Sequence, residues 1–346
     1  MTLGGQVGST ATAVARTLTG PALRSVVDRL QPDLALLCGY HFGWSGPHGE
    51  SLPDGSVPAG KSTRSALLFA AARGVGGSEE IALPGAVAVE LVHNWTLLHD
   101  DIIDRDTERR GRETAWSVFG SGLAMLAGDA LLSAAYTTLA AARPVSQHAL
   151  QLLCDAVDRL IAGEAAELSL ITRPGAGVDD YLAVARGKAS ALVECALGLG
   201  VALNAGSAKA IEALSVAGGY LGIAWQAAND VEDIWGCPSI TGKAARGDLR
   251  EGIRTLPVLA ALASDTAAGR QLAAEWGVGR PDDAFLDRAS VLIEEAGGKA
   301  TAERVSTEYL DRAVRALSKA GLSAACQDEI GQLFRLIVIR DSRSIA

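Results

Sequence analysis

The chain is expected to fold as an all-α bundle of ten or more helices in a single domain, around a central apolar cavity. Three observations predict this. Ala occurs 62 times in 346 residues, so the strongest helix former fills nearly one position in five. Alternating polar and apolar runs, which a half-buried strand needs, are almost missing. Apolar residues instead recur at three- and four-residue steps along most of the chain. A length of 346 residues alone suggests roughly two domains. No repeat of fixed period and no low-complexity block after the first twenty residues marks a division.

Residues 1–20 are mostly Gly, Thr, Ala and Ser, with Arg16 but no apolar segment. They are expected to form a mobile tail, not a signal peptide. The helical domain is placed at 21–346. Its first helix begins at Pro21, where Leu23, Val26, Val27, Leu30, Leu34 and Leu37 mark one face through Tyr40. A loop over 43–60 follows, rich in Gly and Ser and holding Pro47, Pro53 and Pro58. Helices are then predicted at about 61–75, 83–104, 121–141, 146–169, 178–204, 207–235, 254–264, 283–296, 299–319 and 322–341. Gly74 to Gly77, Arg143-Pro144, Pro174 to Gly177, Gly236 to Gly247 and Gly297-Gly298 separate them. Several of these helices carry Gly and Ala where a surface helix carries Lys and Glu. Such helices belong in the middle of a bundle, where they can enclose a long cavity.

Composition excludes other classes. The net charge is −9 with no basic block, so no nucleic-acid partner is expected. The five cysteines (38, 154, 195, 237 and 326) form no CxxC pair, which fits a reducing, cytoplasmic setting. No run of about 18 uncharged apolar residues appears. The best stretch, Ala189 to Leu203, holds Glu194, Gly198 and Gly200, so no integral membrane segment is expected.

The segment HDDIIDRDTERRG at 99–111 carries the most chemistry. A strongly apolar helix runs into Asp100, Asp101 and Asp104. Positions 100 and 104 share one helix face, with Asp101 close by. Alone, such a run reads as a solvated cap. On an apolar helix the three carboxylates repel one another unless a cation neutralises them. Hard oxygen donors suit Mg²⁺, which takes one or two carboxylates and completes its shell with water and phosphate oxygens. Arg109 and Arg110 follow at once, and guanidinium groups grip phosphate in forked pairs. A second cluster, GIAWQAANDVEDIWG at 222–236, sets Gln226, Asn229, Asp230 and Asp233 at helical spacing on another apolar helix. Two such clusters, facing each other, would hold Mg²⁺ and a diphosphate between them.

In these motifs the sequence resembles the trans-isoprenyl diphosphate synthase (polyprenyl synthetase) family, over about residues 25–340. DDIID followed by RRG looks like the family's first aspartate-rich motif and QAANDVED like its second. GKSTR (60–64) looks like its Gly-Lys-x-x-Arg region. GDALL (128–132), GEAAEL (163–168), GKASAL (187–192) and TGKAARGDLREGIRTLP (241–257) stand in the family's order, and YHFGW (40–44) is similar to actinobacterial geranylgeranyl-type members. The resemblance implies the isoprenoid synthase-like fold and condensation of an allylic diphosphate with isopentenyl diphosphate.

It also implies roles. Asp100, Asp101 and Asp104 would hold Mg²⁺ from one side, and Asn229, Asp230 and Asp233 from the other. Arg109, Lys188 and Lys243 would grip the allylic diphosphate, and Gln226 would line its site. Lys61, Arg64, His93 and Arg110 would bind isopentenyl diphosphate. The departing diphosphate would itself accept the proton, which accounts for the lack of a conspicuous side-chain base. His93 lies seven residues, two helical turns, before Asp100 and on the same face. Three positions depart from the family pattern. Ser62 stands where an Arg is common, Asn229 replaces the first Asp of the second motif, and Arg254 replaces a common Lys.

Trp95 lies five residues before Asp100, and Thr96 four before it. In the family, bulk here floors the tunnel that takes the growing chain, and packed interiors do not yield. A short product, farnesyl or geranylgeranyl diphosphate, is therefore expected. The alternative is a class I terpene cyclase on the same fold, which Asn229 and Trp95, Trp116, Trp225 and Trp235 would suit, since aromatic faces stabilise cations. A second diphosphate site at Lys61, Arg64, His93 and Arg110 argues against it. The intact DDIID argues against a non-catalytic subunit. The resemblance implies a homodimer.

Overall fold

Capping residues and glycines set the helix ends. The computed structural model describes residues 3–53, 56–57, 60–143, 146–173, 175–237, 245–277 and 281–339. In chain order the helices are α1 (Leu3–Val27), α2 (Pro32–His41), α3 (Thr63–Gly74), α4 (Glu79–Ile103), α5 (Ala115–Phe119), α6 (Ser121–Ala140), α7 (Gln147–Thr172), α8 (Val178–Ala185), α9 (Ala191–Leu203), α10 (Ala208–Trp235), α11 (Gly247–Arg250), α12 (Leu256–Leu262), α13 (Ala267–Glu275), α14 (Asp283–Glu295), α15 (Gly298–Leu317) and α16 (Ala324–Val338). Ser78, Thr266 and Asp282 each accept a backbone N–H at the start of α4, α13 and α14. Gln31 does the same for α2, whose first residue is Pro32. Among the described residues, β structure is confined to a hairpin, β1 (Glu108–Arg109) with β2 (Arg112–Glu113), and a bridge between Ser45 and Ser51.

The all-α prediction holds, and most predicted helices fall within a few residues of the observed ones. Four features differ. The single helix expected from Pro21 through Tyr40 is two, because α1 ends at Val27 and α2 starts afresh at Pro32. Residues 3–20 are helical, continuous through Pro21 into the helix foreseen after it. Ala15 and Thr19 are 1% exposed, so burial stabilises a segment whose Gly, Thr and Ser content gave no periodic signal. The helix predicted at 178–204 is interrupted at Arg186–Ser190 by a wider, π-type turn. Short α5 and α13 were too brief to leave a period.

By its internal contacts the chain gathers into two compact units. Unit 1 comprises 1–155, 195–215 and 318–333; unit 2 comprises 156–194, 216–317 and 334–346. The chain passes between them repeatedly, so no linker marks the division.

In unit 1, α4 packs along α6 and α3, and α1 covers α3. Small residues are buried on both helices, Ala66, Ala70, Ala71 and Ala72 on α3 and Ala82, Ala86 and Ala88 on α4. Leu67, Leu68, Leu91, Leu98 and Leu131 fill the core, each contributing ~1.5–3 kcal/mol by burial. A Cβ on Gly200 of α9 would stand 2.2 Å from the Leu68 carbonyl oxygen, so only glycine permits that approach. In unit 2, Leu249, Val258, Leu272, Leu286, Ile293 and Ile234 form the core under α12, α13 and α14.

By length and composition, α4 and α6 are each able to cross a membrane. The apolar stretch of α4 is 61% buried in the core, whereas that of α6 is 33% buried and leaves Met125 and Leu126 outward.

Candidate active site

Asp100 and Asp101 lie in the last turn of α4, and Asp104 is its C-cap. A helix C-terminus carries negative partial charge, so this end disfavours three more negative groups. Asp101 is 1% exposed. Arg109 donates to its Oδ1 from Nε at 2.6 Å, and its Nη2 makes an ion pair with the same oxygen at 2.6 Å. The second oxygen, Oδ2, is buried with no hydrogen-bond partner. Burial pushes the Asp101 carboxyl above the usual range, and Arg109 pulls it back.

The hairpin delivers the arginines. Arg110 and Gly111 form its two-residue turn, both at positive φ (56° and 73°). Gly adopts that conformation freely; Arg110 does so at a cost of ~1–2 kcal/mol. Thr114 Oγ1 and Trp116 Nε1 each donate to the Asp106 carbonyl at 2.7 Å, fastening the loop after DDIID.

Around His93 the same unit gathers cations. Burial first, and then the charges of Arg64, Arg110 and Arg109, hold its imidazole well below its ordinary pKa, which favours the neutral form. His41 is pushed down to about 3, by burial first and then Arg110 and Arg109. Arg64, in the first turn of α3, is lowered to about 10 by burial, partly offset by Glu90. Glu90 accepts from Ser65 Oγ at 2.5 Å, and Asn94 Oδ1 meets His41 Nε2 at 3.2 Å. Lys61 is exposed, beside Ser62 in a left-handed conformation. Three arginines around neutral imidazoles make a site for an anion.

Trp95 is buried on α4, edge-on to His99 at 5.7 Å. Gly128 of α6 makes room: a Cβ there would lie 2.3 Å from His99 Nε2 and 3.3 Å from Trp95. Thr96 Oγ1 donates back to the His93 carbonyl at 2.8 Å.

Unit 2 carries the second cluster on α10. Asp230 is 1% exposed, with both oxygens engaged inside the unit. Gln226 Nε2 donates to Oδ1 at 2.8 Å and the Leu256 N–H to Oδ2 at 3.0 Å, while Tyr181 lies against the same group. Burial, with repulsion from Asp248, pushes its pKa up to about 7. Asp233 accepts from the Asp248 N–H at 3.3 Å, and Asn229 is half-buried on the same helix.

Lys188 sits in the π-type turn and pairs with Glu164 (2.7 Å) and Glu167 of α7. Glycines make this pairing possible. A Cβ on Gly163 would stand 2.5 Å from the Lys188 backbone nitrogen, and one on Gly187 2.9 Å from the Gly163 Cα. The two backbones therefore touch, and the GEAAEL and GKASAL motifs meet. Glu164 and Glu167, within the GEAAEL motif, are the partners of Lys188. Tyr181 and Asp248 carried no sequence signal. Lys243 lies outside the described residues.

Among the described residues, no group of three carboxylate, imidazole or thiolate side chains is placed to hold a metal by itself. The donors still fit Mg²⁺: hard oxygens, a buried carboxylate oxygen without a partner, and adjacent arginines for the phosphates that complete its shell.

Residues 51–286 match the polyprenyl synthetase family model. The chain belongs to the polyprenyl synthetase family. It is 38% identical over 335 residues to a (2E,6E)-farnesyl diphosphate synthase of Mycobacterium tuberculosis, covering 95% of this chain and 92% of the relative. To a geranylgeranyl diphosphate synthase of that species it is 40% identical over 309 residues, 88% and 87% of the two chains. A polyprenyl synthetase crystal structure from Streptomyces coelicolor A3(2) superposes with a TM-score of 0.88 at 36% identity, covering 96% of this chain and 100% of that one. The fold is therefore the all-α isoprenoid synthase fold, and the chain is a prenyltransferase. Within this polyprenyl synthetase, unit 1 brings together Asp101, Arg109, Arg110, Arg64 and His93, and unit 2 brings together Gln226, Asp230 and Asp233.

Proposed function

We propose that the protein is a Mg²⁺-dependent short-chain trans-prenyltransferase. It condenses an allylic diphosphate with isopentenyl diphosphate to give farnesyl or geranylgeranyl diphosphate. The observation that carries this reading is the pairing, in unit 1, of a half-satisfied buried aspartate with an arginine cluster around neutral His93.

Asp100, Asp101 and Asp104, with Asn229, Asp230 and Asp233, are assigned to Mg²⁺. Bound there, the ion supplies charge stabilisation to the departing diphosphate. Asp230 accepts one hydrogen bond at each oxygen, from Gln226 and from the Leu256 N–H, and a carboxylate oxygen so bonded keeps a lone pair for an ion. Arg109, Lys188 and Lys243 bind the allylic diphosphate, with Gln226 beside it. Lys61, Arg64, His93 and Arg110 bind isopentenyl diphosphate; His93, being neutral, contacts phosphate without adding to the crowding of charge. As the allylic C–O bond ionises, the fixed cations hold the charge that builds on the leaving group. The isopentenyl double bond then attacks the allylic carbon, and a proton passes from the adjacent carbon to the diphosphate. Trp95 and Thr96 limit chain growth.

The family is expected to act as a homodimer, and the outward Met125 and Leu126 of α6 suit a partner helix. All five cysteines are free thiols, in keeping with a cytoplasmic protein.

Pyrophosphate release is the test. It is expected only when Mg²⁺, an allylic diphosphate and isopentenyl diphosphate are all present, and to stop on addition of EDTA. Release from the allylic substrate alone would favour cyclase chemistry instead.

A further inference from the structure

The amino-terminal helix reaches the loop assigned to isopentenyl diphosphate. Arg16 of α1 donates from Nη2 to the Gly60 carbonyl oxygen at 2.9 Å. Arg16 lies outside residues 51–286, the span matched by the family model. Its own helix is firmly seated, because the flanking Ala15 and Thr19 are buried and Thr19 Oγ1 bonds the Ala15 carbonyl at 2.8 Å. A second guanidinium lies near: a Cβ placed on Gly60 would stand 3.4 Å from Arg110 Nη2. The segment that follows holds Lys61, then Ser62 at φ 48°, then Arg64 at the start of α3. A left-handed serine costs ~1–2 kcal/mol, so this loop keeps its shape only where other contacts hold it. The Arg16 guanidinium is such a contact, and it leaves the Gly60 carbonyl turned to a cation.

We propose that Arg16 is a positioning residue for the isopentenyl diphosphate subsite: by holding the Gly60 carbonyl it fixes the loop that presents Lys61 and Arg64. The proposal rests on the assignment of Lys61 and Arg64 to that subsite. It makes the amino-terminal helix part of the enzyme's substrate machinery.

The experiment compares steady-state kinetics of Arg16→Ala, Arg16→Lys and Arg64→Ala with the parent enzyme, varying each substrate in turn. Arg16→Ala is expected to raise the isopentenyl diphosphate KM about 3- to 10-fold, the scale of one solvent-exposed hydrogen bond. The allylic KM and kcat are expected to stay within about twofold. Arg16→Lys, which keeps a cationic donor, is expected to recover most of the loss. Arg16 is exposed, so the melting temperature should not change. Should Arg16→Ala nevertheless lose stability, Arg16→Gln is measured in its place and must show the same split. An unchanged isopentenyl KM in Arg16→Ala, with a raised one in Arg64→Ala, would overturn the proposal and leave the subsite standing. Equal effects on both KM values, or on kcat alone, would overturn it too. An unchanged isopentenyl KM in Arg64→Ala would instead contradict the subsite assignment itself.

Discussion

Arg109 places both of its contacts on one oxygen of Asp101, at 2.6 Å each, and leaves the other oxygen buried without a partner. A carboxylate so arranged is neutralised on one side and reactive toward a cation on the other. Desolvating an unpaired carboxylate oxygen is costly, and a site that keeps one is organised for a ligand.

Asp101→Asn preserves shape and removes the charge. It is expected to lower kcat at least about 100-fold, the scale of removing one electrostatic contributor, while the folded state persists. Steady-state turnover and thermal melting followed by circular dichroism check both halves. Near-normal turnover would remove Asp101 from the metal set.

Gly163→Ala forces a methyl to within 2.5 Å of the Lys188 backbone nitrogen. Since the neighbour is backbone, α7 and the π-type turn must separate. The expected cost is ~1–3 kcal/mol of stability, together with a raised allylic KM as Lys188 shifts from Glu164 and Glu167. Urea unfolding and kinetics on the same variant test the two effects together.

Trp95→Ala removes the bulk assigned to the tunnel floor. Longer prenyl diphosphates are expected in the product mixture. An unchanged product would make Trp95 a packing residue that holds His99 and nothing more.

His41 supplies a pH signature. Its folded pKa of about 3 lies below the unfolded value of ~6.5. The unfolded chain therefore takes up a proton that the folded one refuses. The stability His41 contributes is complete above pH ~6.5 and is lost as pH falls toward about 3. Relative to the parent, His41→Asn should flatten the fall in unfolding free energy between pH 6 and 4 by up to ~1 kcal/mol per pH unit. Parallel slopes would contradict a neutral, enclosed His41.

Much of this was legible in the sequence because the signals were local. Helical periods located the long helices, and the charges in DDIID and RRG stood out against apolar flanks. The α1 extension was not legible, since its order comes from burying Ala15 and Thr19 against distant residues. Nor was the tie between Lys188 and Glu164 and Glu167, which depends on two glycines 24 positions apart whose backbones touch. Asp230 shows the limit most clearly. Spacing marks it as a metal ligand, but the hydrogen bonds that Gln226 and the Leu256 N–H donate to its two oxygens come from three-dimensional packing that no local pattern shows. The division into two units left no trace, because the chain passes between them without a linker.

The most direct test is the identity of the product. Protein with Mg²⁺ would be given geranyl, farnesyl or geranylgeranyl diphosphate, each with and without isopentenyl diphosphate, and the extracts read by mass spectrometry. The account predicts a prenyl diphosphate lengthened by one or more five-carbon units, formed only when isopentenyl diphosphate is present and ending at farnesyl or geranylgeranyl diphosphate. A hydrocarbon or terpene alcohol formed from the allylic substrate alone would contradict it.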